Sequence, residues 1–437
     1  MLVLIIIRGE YLIIKNMLDI KFIRENKDLI EMATKKKHLK FDVAELISLD
    51  DKRKELLMAT ENKKAEQNRF SDEIIKVKDP VEKKQLIEEM KVVKDTLIKG
   101  EEELKEVMKQ WQGLMLQVPN IPDMTVPEGE SDADNKEVSV WGEKPKFDFE
   151  PKDHVALMTN LGMVDFDRGV KVHGFRGYFL TGDGVRLSFA IWNYAMEFFS
   201  SRNFTPVLPP IIVRREALLG TGYLPQGEDD LYKTQDGEYL AGTAEVPVMA
   251  YHSGEVLDIK ELPKKYLGFS PCYRREVGSH SKDVKGLIRV HEFYKLEQVV
   301  ICEASHEQSV KYHEEVNHNT EEFIQSLGIP YHTVVNCGGD LGLGQVKKYD
   351  VELWVPKENK YREISSASYF HDFQTRRSNI KYRDALGKTH YTHSLNCTAI
   401  PTPRILVSLV ENFQQADGSI KVPEVLQKYM GKSVISK

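Results

Sequence analysis

The sequence predicts an α+β protein in which a long antiparallel helical hairpin, a coiled coil, precedes a domain built around a largely antiparallel sheet. Three observations predict it. Apolar residues recur at about 3.5-residue spacing between Leu86 and Val118. A stretch rich in Pro, Asp, Gly and Ser follows, VPNIPDMTVPEGESDADNKEV. Beyond it, short β-branched and aromatic runs such as YFLTG, CYRRE and VELWVP alternate irregularly with helical stretches, without the regular βαβ succession of a doubly wound sheet.

The first sixteen residues, MLVLIIIRGEYLIIKN, carry an apolar run too short to span a bilayer, with no basic n-region and no small-residue cleavage site. They read as an extension ahead of a fresh beginning at Met17. A short mixed-charge helix is expected up to Phe41, and a charged helix from Leu46 to Lys78. The apolar seam then runs through Leu86, Met90, Val93, Leu97, Gly100, Leu104, Val107, Trp111, Leu114 and Val118, with Gly100 its one interruption. Phe70, Ile74 and Val77 give a matching stripe on the preceding helix, and Asp79-Pro80 between them can close one helix and open the next. A helix over 81–118 would be on the order of 55 Å long, too long to fold back into a globule. Dimerisation and a protruding recognition arm both fit such a rod. The chain therefore divides into 1–16, a helical arm over 17–124, a linker over 125–140 and a second domain over 141–437.

Composition narrows the function. With 61 Lys and Arg against 67 Asp and Glu, the formal net charge is -6, so nonspecific coating of nucleic acid is excluded and any nucleic-acid partner must be bound locally. Cys272, Cys302, Cys337 and Cys397 form no C-x-x-C pair, which suggests neither a zinc ribbon nor a disulfide framework and fits a reducing cytoplasm. HEEVNH places His313 and His318 five apart, about 140° around a helix, so they cannot share a metal. The glycines of CGGDLGLGQ match no phosphate-loop pattern and read as a turn between strands.

Residues 273–297, YRREVGSHSKDVKGLIRVHEFYKLE, are denser in chemistry. Arg274 and Glu276 are two apart in a strand-like run and share a face, with Arg275 on the other. A polar loop follows, and beyond it Arg289, His291, Phe293, Lys295 and Glu297 share one parity. Arginine can grip phosphate, an aromatic ring can stack on a base, and a carboxylate can accept from an exocyclic amine. A surface hairpin with cross-strand ion pairs has the same composition.

These residues strongly resemble motif 2 of the class II aminoacyl-tRNA synthetases in its seryl form. Other matches follow in order. TPVLPPIIVRREALLGTGYLPQGEDDLYK (205–233) resembles motif 1, which in the family builds the dimer interface. LAGTAEVPV resembles the serine loop, EISSASYFHDFQTRRSNIKYR (363–383) a further seryl signature, and LNCTAIPTPRILVSLVENFQ (395–414) motif 3. The resemblance covers the chain from Met17 onward and is to the bacterial-type seryl-tRNA synthetases, whose pocket holds no zinc.

It implies ATP-dependent attachment of serine to tRNA(Ser) through a seryl-adenylate, with tRNA(Sec) as a second acceptor, by a cytoplasmic homodimer with no membrane association. Arg274 and Arg404 would be the catalytic cations. The ATP site would comprise Arg274, Arg275, Glu276, Val290, Phe293, Glu363, Ile364, Ser365, Ser366 and Arg404. Thr243, Ala244, Glu245, Glu297 and Thr398 would take serine, and Glu363 with Ser366 would hold Mg²⁺. On the arm, Lys63, Lys64, Arg69, Lys91, Lys94 and Lys105 are candidate phosphate contacts. Two departures stand out: Asn396-Cys397-Thr398-Ala399 replaces the usual N-G-S-G, and Tyr369 stands where asparagine is common. A regulatory protein that had lost catalysis would not need Arg274, Glu276, Glu363 and Arg404 together. A ligase acting on a carrier protein would have no use for the arm.

Overall fold

The computed structural model describes residues 19–277 and 286–437, so the N-terminal extension and most of the polar loop in the motif 2 stretch lie outside the described residues. The described residues form two compact units, one around Leu39–Pro119 and the other around Asn120–Lys437.

The first unit is the predicted hairpin. Two helices, Val43–Lys76 and Pro80–Met115, are joined by three residues, which forces them antiparallel. Asp42 caps the first through the amides of Ala44 and Glu45, and Asp79 caps the second through the amide of Val81, with Pro80 at the first helical position. Val93, Leu97, Leu104 and Val107 of the seam are buried, as are Thr60 and Phe70 of the first helix. Gly100 lies where the helices approach: a Cβ there would sit 3.6 Å from Thr60 Oγ1. The expected mixed-charge helix before Phe41 is instead two helices, Ile20–Glu25 and Lys27–Lys36, broken at Asn26. Among the candidate phosphate contacts, Lys63 and Lys64 pair with Glu66 at 2.7 Å and Glu101 at 2.8 Å, and Arg69 with Glu73 at 3.7 Å.

The second unit is built on an eight-stranded sheet. Its strands, in chain order, are β1 (Lys136–Trp141), β2 (Thr205–Val207), β3 (Lys264–Tyr273), β4 (Glu292–Cys302), β5 (Tyr331–Val335), β6 (Lys347–Val355), β7 (Lys360–His371) and β8 (His393–Thr402). Their order is β1-β5-β6-β7-β8-β4-β3-β2, and every pairing is antiparallel except that of β2 with β3. Helices Asp183–Ser200, His306–Leu327 and Arg404–Asn412 bury Ile191, Phe323 and Leu409 in the core that also holds Val300, Leu353 and Ile400 of the sheet. The CGGDLGLGQ stretch connects β5 to β6 through a 3-10 turn at Gly338–Asp340. His313 is buried and its Nε2 lies 2.9 Å from Ala367 O, whereas His318 is exposed, so the two histidines do face apart. Among the described residues no helix is long and apolar enough to cross a membrane.

Candidate active site

The site lies where β3, β4, β7 and β8 meet the start of the Arg404–Asn412 helix. Strand parity explains part of it. β4 begins at Glu292, so Phe293, Lys295 and Glu297 alternate onto one face as predicted. Arg289 and His291, however, precede the strand, and β3 ends at Tyr273. Arg274 and Glu276 therefore do not owe their positions to strand alternation. Arg274 keeps one ladder bond, its amide donating to His291 O at 3.0 Å, and Glu276 then turns into the left-handed region with φ 55°. This turn sets the Glu276 carboxylate against Arg289 at 2.5 Å.

A cavity opens between these residues. Around Arg274 and Arg404 it is lined by Glu276, Leu287, Ile288, Val290, Phe293, Glu363 and Ile364, and it also reaches Lys295 and Thr398. Arg274 stacks over the Phe293 ring at 5.3 Å and its Nε faces Gly242 O at 3.4 Å. Arg404 is anchored by Nε to Ile288 O and by Nη1 to Glu363 O, both at 3.0 Å. Burial lowers the Arg404 pKa and Glu363 raises it, while Arg274 and Arg289 add repulsion. The result is a concentrated positive field with fixed guanidinium geometry, which is what a polyphosphate requires.

Lys295 and Thr398 of the lining belong to a buried ion-paired group, the carboxylate floor, whose other members do not themselves line the cavity. Lys295 and Glu297 are both buried and in direct contact, and Thr398 donates from Oγ1 to Glu297 Oε2 at 3.3 Å. Glu245 joins them because its helix, Glu245–Ala250, packs on β3 at Gly268, where a Cβ would come within 2.8 Å of Ala244 Cβ. Gly268 pairs with Glu297 across β3 and β4, so this close approach sets the depth of the 243–245 segment. Thr243 is buried beside it and its Oγ1 accepts from the Glu245 amide at 3.3 Å. Burial, then the Glu297 charge, pushes the Glu245 carboxyl up to about 7, against hydrogen bonds from Gln374 and Tyr223 and the pull of Lys295.

Two bulges shape the rest. β8 carries Ala399 as an extra residue, between the pairs Leu296↔Ile400 and Glu297↔Thr398. β7 carries Ile364 as an extra residue, between Glu352↔Glu363 and Val351↔Ser365. The second bulge puts Glu363 and Ser366, three positions apart, on one face, where both act on the Asp350 carboxyl, itself pushed up to about 7 chiefly by burial. Ser365 turns the other way and its Oγ donates to Thr398 O at 2.5 Å. Among the described residues no group of three or more His, Cys, Asp or Glu is arranged to hold a metal. The Glu363 carboxylate and Ser366 hydroxyl still suit a Mg²⁺ that keeps water and takes its remaining oxygens from a bound phosphate.

The expected site residues are not all gathered: Thr243, Ala244, Glu245, Glu297, Ser365 and Ser366 lie outside the cavity lining. Arg275 is drawn away, its Nη1 donating to Asp229 O and its amide to Asp230 O, both at 2.9 Å, and it does not line the cavity. Cys397 lies buried beneath the pocket with its thiol pushed up to about 12 by burial, and Tyr369 is turned to Asp123 at 2.8 Å. Several residues that sequence reasoning left out of the site belong to its structure, among them Leu287, Ile288 and Lys295 of the lining and the Glu245 partners Tyr223 and Gln374. Lys295 shared the parity of Phe293 and Glu297 and was within reach of that signal. Tyr223 and Gln374 come from distant segments and gave none.

Comparison with known proteins gives the family. Residues 17–122 match the seryl-tRNA synthetase N-terminal domain, and residues 231–413 match the tRNA synthetase class II core domain for G, H, P, S and T. The serine--tRNA ligase of Deinococcus radiodurans is 44% identical over 95% of this chain and 98% of its own length. The chain belongs to the seryl-tRNA synthetase family, the class II serine--tRNA ligases. The serine--tRNA ligase of Thermodesulfovibrio yellowstonii is 43% identical over 96% of the chain and 100% of its own length. A crystal structure of seryl-tRNA synthetase from Pyrococcus horikoshii complexed with ATP superimposes with TM-score 0.85 at 37% identity, covering 96% of this chain and 99% of that one. A cytoplasmic serine-tRNA ligase from Naegleria fowleri in complex with AMP gives TM-score 0.82 at 35% identity, over 97% and 99%.

Proposed function

We propose that this chain activates serine with ATP to form seryl-adenylate in the cavity and then transfers the seryl group to the 3′ end of tRNA(Ser), with tRNA(Sec) as a second acceptor. The observation that carries the reading is one cavity lined by the guanidinium groups of Arg274 and Arg404 that also reaches Lys295 and Thr398, both of which are bound to the buried Glu297 carboxylate. The relative solved with ATP and the one solved with AMP support a nucleotide beside those guanidinium groups.

In this reading the serine carboxylate attacks the α-phosphorus, an oxygen–phosphorus bond forms, and the bond to the departing pyrophosphate breaks. Arg274 bridges the serine carboxylate and the α-phosphate, neutralising charge that peaks in the transition state. Arg404 holds the γ-phosphate of a bent ATP. Glu276 accepts from the adenine amine, Phe293 stacks on the ring, and the Val290 backbone borders it. Arg275 is left with a supporting part, fixing the 229–230 segment beside Glu276. Glu363 and Ser366, flanked by Ile364 and Ser365, would hold a Mg²⁺, which would supply charge neutralisation for the phosphates when bound. Glu245 and Thr243, with Ala244 seating their loop, receive the serine ammonium. Glu297 and Thr398 receive its hydroxyl, and without that hydroxyl they would be left unpaired, which is how alanine is rejected.

The arm reads the tRNA by backbone and shape contacts. Leu208 and Ile212, exposed at 77% and 57%, lie beside the edge strand β2 in the motif 1 segment and support a homodimer formed there. The cytoplasm is the compartment this activity serves. The test is to incubate the protein with serine, ATP and Mg²⁺ in the absence of tRNA and look for enzyme-bound seryl-adenylate by mass spectrometry. Its formation is expected, and pyrophosphate release without it contradicts the reading.

A further inference from the structure

One buried ionisable pair beside the cavity has no part in the chemistry above. Glu411, 1% exposed, accepts at Oε1 from the amide and the Nδ1 of His154, at 2.9 and 3.0 Å, and at Oε2 from the amide of Lys357 at 3.0 Å. A carboxylate facing three donors acts only as acceptor, so the imidazole carries its proton on Nδ1 and presents a lone pair at Nε2. That lone pair accepts from the Leu287 amide at 3.2 Å. Leu287 and Ile288 line the cavity, and the Ile288 carbonyl is the one Arg404 grips. Gly286 leaves the ring room: with φ 86°, a Cβ there would fall 2.1 Å from His154 Nε2.

We propose that His154 is a positioning residue for ATP, fixing the Leu287–Ile288 rim and through it the Arg404 guanidinium, with Glu411 setting the imidazole tautomer. This rests on reading the guanidinium-lined cavity as the ATP site. Nothing in the pair touches the carboxylate floor, so its effect belongs to ATP and not to serine.

The test is serine-dependent exchange of pyrophosphate into ATP, with both Michaelis constants measured. His154→Phe keeps a ring but strands the Leu287 amide, and should raise KM for ATP about tenfold while KM for serine stays within about twofold. His154→Gln, which can still offer an acceptor, should recover part of that loss. If His154→Phe does not fold, Glu411→Gln must show the same ATP-specific rise, because it removes the charge that fixes the tautomer. Unchanged KM for ATP in either folded variant, or equal rises for both substrates, overturns the proposal. Absence of serine-dependent exchange in the unaltered protein would instead remove the reading of the cavity itself.

Discussion

Gln374 donates from Nε2 to Glu245 Oε1 at 2.6 Å and to Thr221 O at 3.2 Å, and because a carbonyl can only accept, the amide has one orientation, with its Oε1 accepting from the Ser394 hydroxyl at 2.7 Å. The carboxylate that would receive the serine ammonium is therefore held from behind by a buried residue well over a hundred positions away in the chain. Its pKa of about 7 lies above that of the same group in the unfolded chain, where a Glu titrates near its usual value.

The first prediction follows from that shift. Below the unfolded pKa both states are protonated, so the group costs the fold nothing. As pH rises through the window from about 4.5 to about 7, the unfolded chain ionises first and stability is lost. Serine binding pairs the ionised form, so KM for serine should fall as pH rises from 6 to 8. Glu245→Gln should flatten both dependences, and KM profiles with thermal melts across that range check it.

Arg404→Ala should lower kcat/KM for adenylate formation by a factor on the order of 10³, with the melting temperature nearly unchanged because its carbonyl partners sit at the cavity rim. Steady-state exchange kinetics beside a melt separate the two effects.

Gly100→Ala should stabilise the arm by about 0.5–1 kcal/mol, since the added Cβ meets Thr60 Oγ1 at an ordinary contact distance of 3.6 Å and helix propensity rises. Urea unfolding followed by circular dichroism at 222 nm measures it, as about that wavelength reports helix.

Because Thr60 and Gly100 lie side by side across the hairpin, residues 61–99 can be replaced by a short turn without stretching the chain. The shortened protein should keep serine-dependent exchange within about twofold and lose tRNA charging, since the arm's proposed shape contacts with tRNA would be gone. Parallel exchange and charging assays distinguish loss of the arm from loss of the fold.

Much of this architecture was legible in the sequence because it obeys simple periods. The seam from Leu86 to Val118 predicts the hairpin, and alternation predicts that Phe293, Lys295 and Glu297 share a face. The site departs from those periods where backbone irregularity does the placing. Glu276 sits in a left-handed turn, so the parity argument reached the right neighbour of Arg274 for the wrong reason. Glu363 and Ser366 share a face only because Ile364 bulges, and no spacing rule shows a bulge in advance. His154, Tyr223 and Gln374 are brought in by tertiary packing alone, which leaves no periodic trace.

The proposed function requires this cavity to couple serine to ATP. The most direct measurement is exchange of labelled pyrophosphate into ATP with serine, glycine, alanine or threonine supplied in turn. The account predicts brisk exchange with serine and rates lower by a factor of about 10² or more with the others. Exchange that is absent with serine, or as fast with alanine or glycine, would contradict it.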